Sequence, residues 1–309
     1  MLYLWLFLSV AAFFLVVSLA TAYICYFRIF RSPRVQSEDK YALPEGEIYE
    51  EYREQMVSWM KNAEKLPHRA VSARSFDGLL LHGEYYECEK GAPLEILFHG
   101  YHGSAFRDLS GGVARCFALG HNALIIDHRG SGASEGTVTT FGVLERRDCL
   151  TWVDFAIREW GSDVQIILTG ISMGASTVMM AAGENLPRNV IGVLADCGYT
   201  SARAIIEKVM RDMKLPAKLL YPFARLGAKL FGGFDLDETS PIEAMGRCKV
   251  PVIFFHGDAD DFVPHTMSLE NYEACISKKR LVTIRGAGHG LAFPADEETY
   301  LRELRAFFP

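Results

Sequence analysis

With half of its 309 residues apolar and 23% charged, this chain can bury a large core and is unlike a disordered polypeptide. A net charge of -6, with no basic stripe interleaved with aromatics, excludes the usual nucleic-acid-binding face. The seven cysteines (25, 88, 116, 149, 197, 248 and 275) show no C-x-x-C or Cys/His spacing, which argues against a patterned zinc site and reads as free thiols in a reducing compartment.

The first predicted element is a membrane anchor over residues 1–27. No side chain from Met1 to Phe27 is charged, and the run is long enough to cross a hydrocarbon core of about 30 Å as a helix. Tyr3 and Trp5 at one end, and Tyr23, Tyr26 and Phe27 at the other, suit the two interfaces. Ala20-Thr21-Ala22 resembles a signal-peptide cleavage site, but no basic region precedes the run and the apolar stretch continues past it. Arg28, Arg31, Arg34 and Lys40 follow, so the positive-inside bias predicts a single-pass protein of the cell membrane with its bulk in the cytoplasm.

Residues 28–69 read as a linker with prolines at 33, 44 and 67, then one helix whose Tyr49, Tyr52, Met56, Trp59 and Met60 form a packing stripe. From residue 70 to 309 strands and helices alternate. Arg69–Phe76 and Leu79–Glu87 flank an Asp77-Gly78 turn and predict a hairpin. Short apolar runs at 94–98, 123–127, 164–169, 190–195, 250–255 and 281–284 suit strands buried on both faces. Helical patterns lie between them, notably at 143–160 and 173–183. The prediction is an α/β fold: a mostly parallel twisted sheet with helices on both faces and ligands beyond the carboxyl ends of its strands.

Two segments match G-x-S-x-G, at 132–136 and 170–174. A nucleophile elbow needs a strand, a sharp turn and then a closely packed helix. Ser172 has that context, with an apolar strand before it and Ala175 to Ala182 after it. Ser134 follows Asp127-His128-Arg129-Gly130 and reads as a loop turn. The helix after Ser172 would turn its positive end toward the site, and the Met173 N–H would face an oxyanion. A second donor is expected from His99-Gly100-Tyr101-His102-Gly103, with the Tyr101 N–H assigned; the alternative is that these glycines only serve a tight turn.

A serine hydroxyl needs a base, and His289 in the small-residue loop 286–290 after the last strand is the choice among nine histidines. His99, His128 and His256 read as braces of their turns. The base in turn needs an acid. Asp258, Asp260 and Asp261 compete in one loop; Asp260 is preferred, and Asp196 is an outside candidate.

These segments together, Phe98-His99-Gly100, 127–132, 170–174, 256–260 and Gly288-His289-Gly290, resemble the α/β-hydrolase superfamily over residues 70–309. The chain is most similar to bacterial hydrolases related to serine aminopeptidases, Bem46-like proteins and acyl thioesterases. The resemblance implies a helical cap at 199–241, where Leu219, Phe223, Leu226 and Leu230 share one helical face and Lys218, Arg225 and Lys229 another. That helix is expected to pack on the site with a solvated basic face; the sharper reading rests it on anionic lipid. The expected activity is hydrolysis of a carboxylic ester, thioester or amide of a small or lipid-like acyl substrate through an acyl-enzyme at Ser172, with no cofactor and no metal. A peptidase, or a tethered non-catalytic scaffold, is the alternative.

Overall fold

The computed structural model describes residues 1–32, 39–44 and 46–308; Pro33 and Arg34 of the linker lie outside them. Among the described residues eight strands form one sheet: β1 His68–Arg74, β2 Leu80–Tyr86, β3 Leu94–Phe98, β4 Asn122–Ile126, β5 Ile166–Ile171, β6 Val190–Asp196, β7 Val252–Gly257 and β8 Lys279–Ile284. Their order is β1-β2-β4-β3-β5-β6-β7-β8. The opening hairpin pairs antiparallel, as does β2 with β4, and every other pair is parallel. After β3 the chain runs to β4 on one side and returns to β5 on the other. The strand order therefore switches at β3, and a crevice opens beyond the carboxyl ends of β3 and β5.

The helices are α1 Leu2–Ile29, α2 Arg53–Lys65, α3 Ala105–Leu119, α4 Glu145–Trp160, α5 Met173–Ala182, α6 Ala202–Asp212, α7 Ala217–Gly227, α8 Pro241–Met245, α9 His265–Ala274, α10 Ala292–Ala295 and α11 Glu297–Phe307. A 3₁₀ turn, Glu47–Tyr52, leads into α2, and a π turn, Ala228–Gly232, follows α7. The two-residue period of the strands sorts the core into two layers. Ile96, Leu124, Leu168, Val193 and Phe254 pack with α4, α5 and α8, while Leu97, Ile125, Leu194, Ile253 and Phe255 face α3 and α11.

Two strands are displaced from the sequence prediction by about two residues. Pro251 has no N–H for the ladder, so β7 starts at Val252 and runs on through Gly257, where an added Cβ would stand 2.0 Å from the Ala287 carbonyl oxygen. The register of β5 against β6 shifts between Ile166 and Ile167, and β5 then continues to Ile171, delivering the next residue to the crevice.

Buried charge ties the layer together beneath this crevice. Glu95 accepts from Arg115 (2.6 Å), Thr169 (2.8 Å) and the His121 ring (2.9 Å). Burial alone would raise its carboxyl, but these partners outweigh it and hold it down at about 2. A depressed folded-state value gives stability that is present above the unfolded carboxyl range and lost as pH falls toward 2, worth on the order of 2–3 kcal/mol. The unfolding midpoint is therefore expected to drop between pH 5 and pH 2, and in Glu95→Gln it should be lower at neutral pH and less sensitive to acid.

Between β6 and β7 the chain leaves the sheet to build a cap from α6, α7 and the π turn, and α8 brings it back to the core beside α5. The cap has its own core of Ile205, Ile206, Met210, Tyr221, Ala224 and Phe234, joined by Phe30, Phe141 and Met173. Here the sequence reading of α7 is corrected. Its buried face is Ala217, Tyr221, Ala224 and Gly227, whereas Leu219 is 64% and Leu230 55% exposed. The Leu219 face lies about 200° around the helix from the Ala217 face. The small residues are buried because they let α1 approach: a Cβ on Gly227 would meet the Ala22 carbonyl oxygen at 2.2 Å. The basic face is also largely neutralised, with Arg225 paired to Asp235 and Asp237 and Lys229 to Asp235.

Helix α1 extends two residues beyond the expected boundary, to Ile29, and has one long apolar window of mean hydropathy 2.4 with none of it buried. Only its last turns touch the protein. Ala22 and Phe30 are fully buried, and Ser18, Thr21, Cys25, Tyr26 and Ile29 are half-buried along the same i, i+3, i+4 stripe.

Candidate active site

Ser172 stands between β5 and α5 with φ +56° and ψ -116°, a conformation that costs an ordinary side chain energy and persists only where its surroundings impose it. The glycines around it allow that turn. A Cβ at Gly170 would fall 2.2 Å from the Gly174 carbonyl, and one at Gly174 would lie 2.0 Å from the Phe98 oxygen. The second G-x-S-x-G serves another purpose: Gly132 and Gly136 adopt φ +50° and +103°, and buried Ser134 hydrogen-bonds the Asp127 carbonyl and the His82 N–H.

His289 Nε2 lies 2.9 Å from Ser172 Oγ, and its Nδ1 lies 2.7 Å from Asp260 Oδ2. Asp260 is buried and heavily committed. Its Oδ1 accepts the backbone N–H groups of Phe262 (3.0 Å) and Val263 (2.8 Å), while Oδ2 also faces His256 Nε2 at 3.0 Å. Burial opposes ionisation, yet hydrogen bonds from His256 and His289 prevail and hold this carboxyl well below the usual range. An ionised Asp260 accepts from Nδ1–H of His289, which leaves Nε2 with its lone pair toward the serine hydroxyl.

The competing aspartates point elsewhere. Asp258 accepts from the Gly286 N–H at 2.6 Å, and Asp261 is exposed. Asp196 accepts from Tyr300 at 2.8 Å, and its other oxygen has no hydrogen-bond partner among the described residues. Burial pushes the Asp196 carboxyl up to about 6.

The loop after β3 passes beside the serine at Gly100, the residue before Tyr101: a Cβ there would be 3.6 Å from Ser172 Cβ. Two histidines brace this loop. His99 Nε2 accepts the His128 N–H (3.0 Å), so its proton sits on Nδ1, 2.7 Å from the Gly100 carbonyl; His128 Nε2–H donates to the His99 carbonyl (3.1 Å). Met173 is the first residue of α5, so its N–H is among the first-turn donors that the helix itself leaves unpaired.

Three groups went beyond the sequence reading. His256 braces the acid and not only its own turn: Nε2–H is shared between Asp260 and the Val263 carbonyl, and Nδ1 is 2.6 Å from the Ser268 hydroxyl. Tyr49, expected to be a packing aromatic, donates its hydroxyl to the His289 carbonyl at 3.2 Å. Cys197 is buried with φ +48° just past β6. With Asp260 and His289 it forms a group whose ligand atoms lie within 4.8 Å of one another. Asp260 and His289 sit closer, at 2.7 Å, than the roughly 3.3 Å that two ligands take on a tetrahedral zinc, so the trio fits a hydrogen-bonded site better than a metal cage.

A sharp turn at Ser172 after β5, Asp260 after β7 and His289 after β8, on a mainly parallel sheet with a helical excursion between β6 and β7, are the architecture of the α/β-hydrolase fold, and this chain has that fold. Residues 94–230 match the family model of the serine aminopeptidases, S33. Among relatives, the chain is similar to the uncharacterized protein YqkD of Bacillus subtilis, 29% identical over 61% of this chain and 62% of that one. It is also similar to protein bem46 of Schizosaccharomyces pombe, 24% identical over 63% of this chain and 60% of that one. Both alignments span less than two thirds of the relative's length. Among solved structures, a Pyrococcus furiosus esterase, Pf2001, superposes with a TM-score of 0.68 at 21% identity over 90% of this chain and 96% of its own.

Proposed function

We propose that the protein is a membrane-anchored serine hydrolase that cleaves a carboxylic ester, thioester or amide bond through an acyl-enzyme at Ser172. The observation that carries this reading is the unbroken chain from Ser172 Oγ to His289 (2.9 Å) to Asp260 (2.7 Å) at a strained elbow. In the proposed reaction His289 Nε2 takes the serine proton as Oγ bonds to the carbonyl carbon. The Tyr101 and Met173 N–H groups hold the oxyanion. The bond to the leaving group breaks, and that group departs with the proton. Water, deprotonated by the same imidazole, then releases the acid and restores Ser172.

A peptidase would use the same groups, and the match to the serine aminopeptidase model favours testing amides beside esters. The anchor reading draws support from the burial of Ala22 against Gly227 of the cap: removal at the Ala20-Thr21-Ala22 site would strip the turn of Ser18, Thr21 and Ala22 from that interface. The cations after it, including Arg28 and Arg31, favour a catalytic domain on the cytoplasmic side.

A fluorophosphonate probe tests the proposal. Covalent labelling of the full chain that disappears in Ser172→Ala is the expected result. Folded protein that takes no label would instead make the domain a non-catalytic scaffold.

A further inference from the structure

The cap carries exposed apolar side chains on the face of α7 turned away from α1, and one of the turn after it, Phe231, borders α1. Leu219 and Leu230 are 64% and 55% exposed, and Phe231 is 41% exposed while its ring lies edge-on to Tyr23 at 5.2 Å and tilted to Tyr26 at 5.8 Å. Met213 and Leu215 add to the exposed apolar residues of the cap, and Lys214 and Lys218 stand among them in sequence, also exposed. Single exposed apolar side chains are ordinary, but several grouped beside a membrane-length helix mark a contact surface.

Helix length sets where this surface lies. Leu2 to Thr21 is 20 residues, about 30 Å of helix, which already spans the hydrocarbon core. Tyr23 and Tyr26 therefore fall at the inner interface, where amphipathic rings settle. The cap is fixed against this level, because Gly227 packs on Ala22 and Phe231 on Tyr23. The same junction reaches the site: the Tyr101 hydroxyl donates to the Ile29 carbonyl at 2.7 Å, and Phe30 contacts Phe141 and Phe234.

We infer that the outer face of the cap, through Leu219, Leu230 and Phe231, is immersed in the headgroup layer of the bilayer that α1 crosses, so that the site takes acyl substrates from the membrane surface. This rests on the anchor reading and deepens the proposed function by naming the partner as a phospholipid bilayer. Exposed apolar groups beside lysines suit such a boundary, where rings and alkyl chains bury and ammonium groups meet anionic headgroups.

Depth-dependent quenching in the full chain separates the two ideas. In nanodiscs of phosphatidylcholine and phosphatidylglycerol, Leu219→Trp and Phe231→Trp would be made in a Trp5→Phe background, with Lys90→Trp as a control in the loop before β3. Lipids brominated high in the acyl chain are expected to remove about half of the added emission at 219 and 231 and little at 90, as for side chains 5–10 Å into the boundary. Unquenched emission at 219 and 231, while Trp5 in the unmodified chain is quenched, would overturn the cap inference and leave the anchor standing. If Trp5 in the unmodified chain is also unquenched and carbonate releases the protein from membranes, the anchor reading and this inference fail together.

Discussion

Ser172→Ala is expected to lower kcat on a p-nitrophenyl ester by about a million-fold, roughly 8 kcal/mol of lost transition-state stabilisation. The size follows from what one oxygen does. In the proposed acyl transfer it is the atom that bonds to the substrate, and His289 Nε2, 2.9 Å away, has no other proton to take in the first step. The backbone donors survive the substitution, so a residue of catalysis about 10³–10⁴ above the uncatalysed rate should persist. His289→Ala in the same protein should add little further loss, since the two groups act as a unit. A β-carbon remains at position 172, so the thermal midpoint is expected to stay close to that of the parent. A kcat within tenfold of the parent, with the fold intact, would remove Ser172 from the chemistry and the proposed acyl-enzyme with it.

Much of this arrangement can be read in the sequence because backbone constraints write themselves in particular residues. The central strands are visible as apolar runs because both faces of the sheet are covered there, whereas the half-exposed β1–β2 hairpin is visible through its Asp77-Gly78 turn. The elbow is visible because a Cβ at Gly170 or Gly174 would fall 2.0–2.2 Å from backbone atoms, and no other residue type fits there. The look-alike at 132–136 has the same letters for a different reason, positive φ in a loop, and only the flanking strand and helix separate the two. What was not legible depends on partners distant in sequence. Helix α7 carries two plausible faces, one of large and one of small residues. Hydrophobicity alone favours the large one, but close contact with α1 selects the small one and leaves Leu219 and Leu230 outside. Tyr49 could not be tied to the site, because its partner lies 240 residues away.

The second large effect is expected from Asp260→Asn. Two backbone N–H groups, from Phe262 and Val263, bind the Oδ1 position, so the new amide must place its oxygen there. Its NH₂ then occupies the Oδ2 position, 2.7 Å from His289 Nδ1 and 3.0 Å from His256 Nε2. A donor at that place selects the His289 tautomer with the proton on Nε2, which faces Ser172 without a lone pair. The predicted loss is about 10⁴ in kcat at neutral pH, the size expected when geometry is kept but the tautomer is wrong. His256 sharpens the effect. Its Nε2–H is shared with the Val263 carbonyl, so it cannot turn into an acceptor for the new amide without breaking that bond. Asp196→Asn is the matched control: an amide oxygen can still accept from Tyr300, and kcat should stay within about threefold, the scatter ordinary for a change off the reaction path. Comparable losses at 196 and 260 would show that burial of charge near the imidazole matters more than the hydrogen bond to Nδ1. A full loss at 196 with activity retained at 260 would transfer the acid to the end of β6.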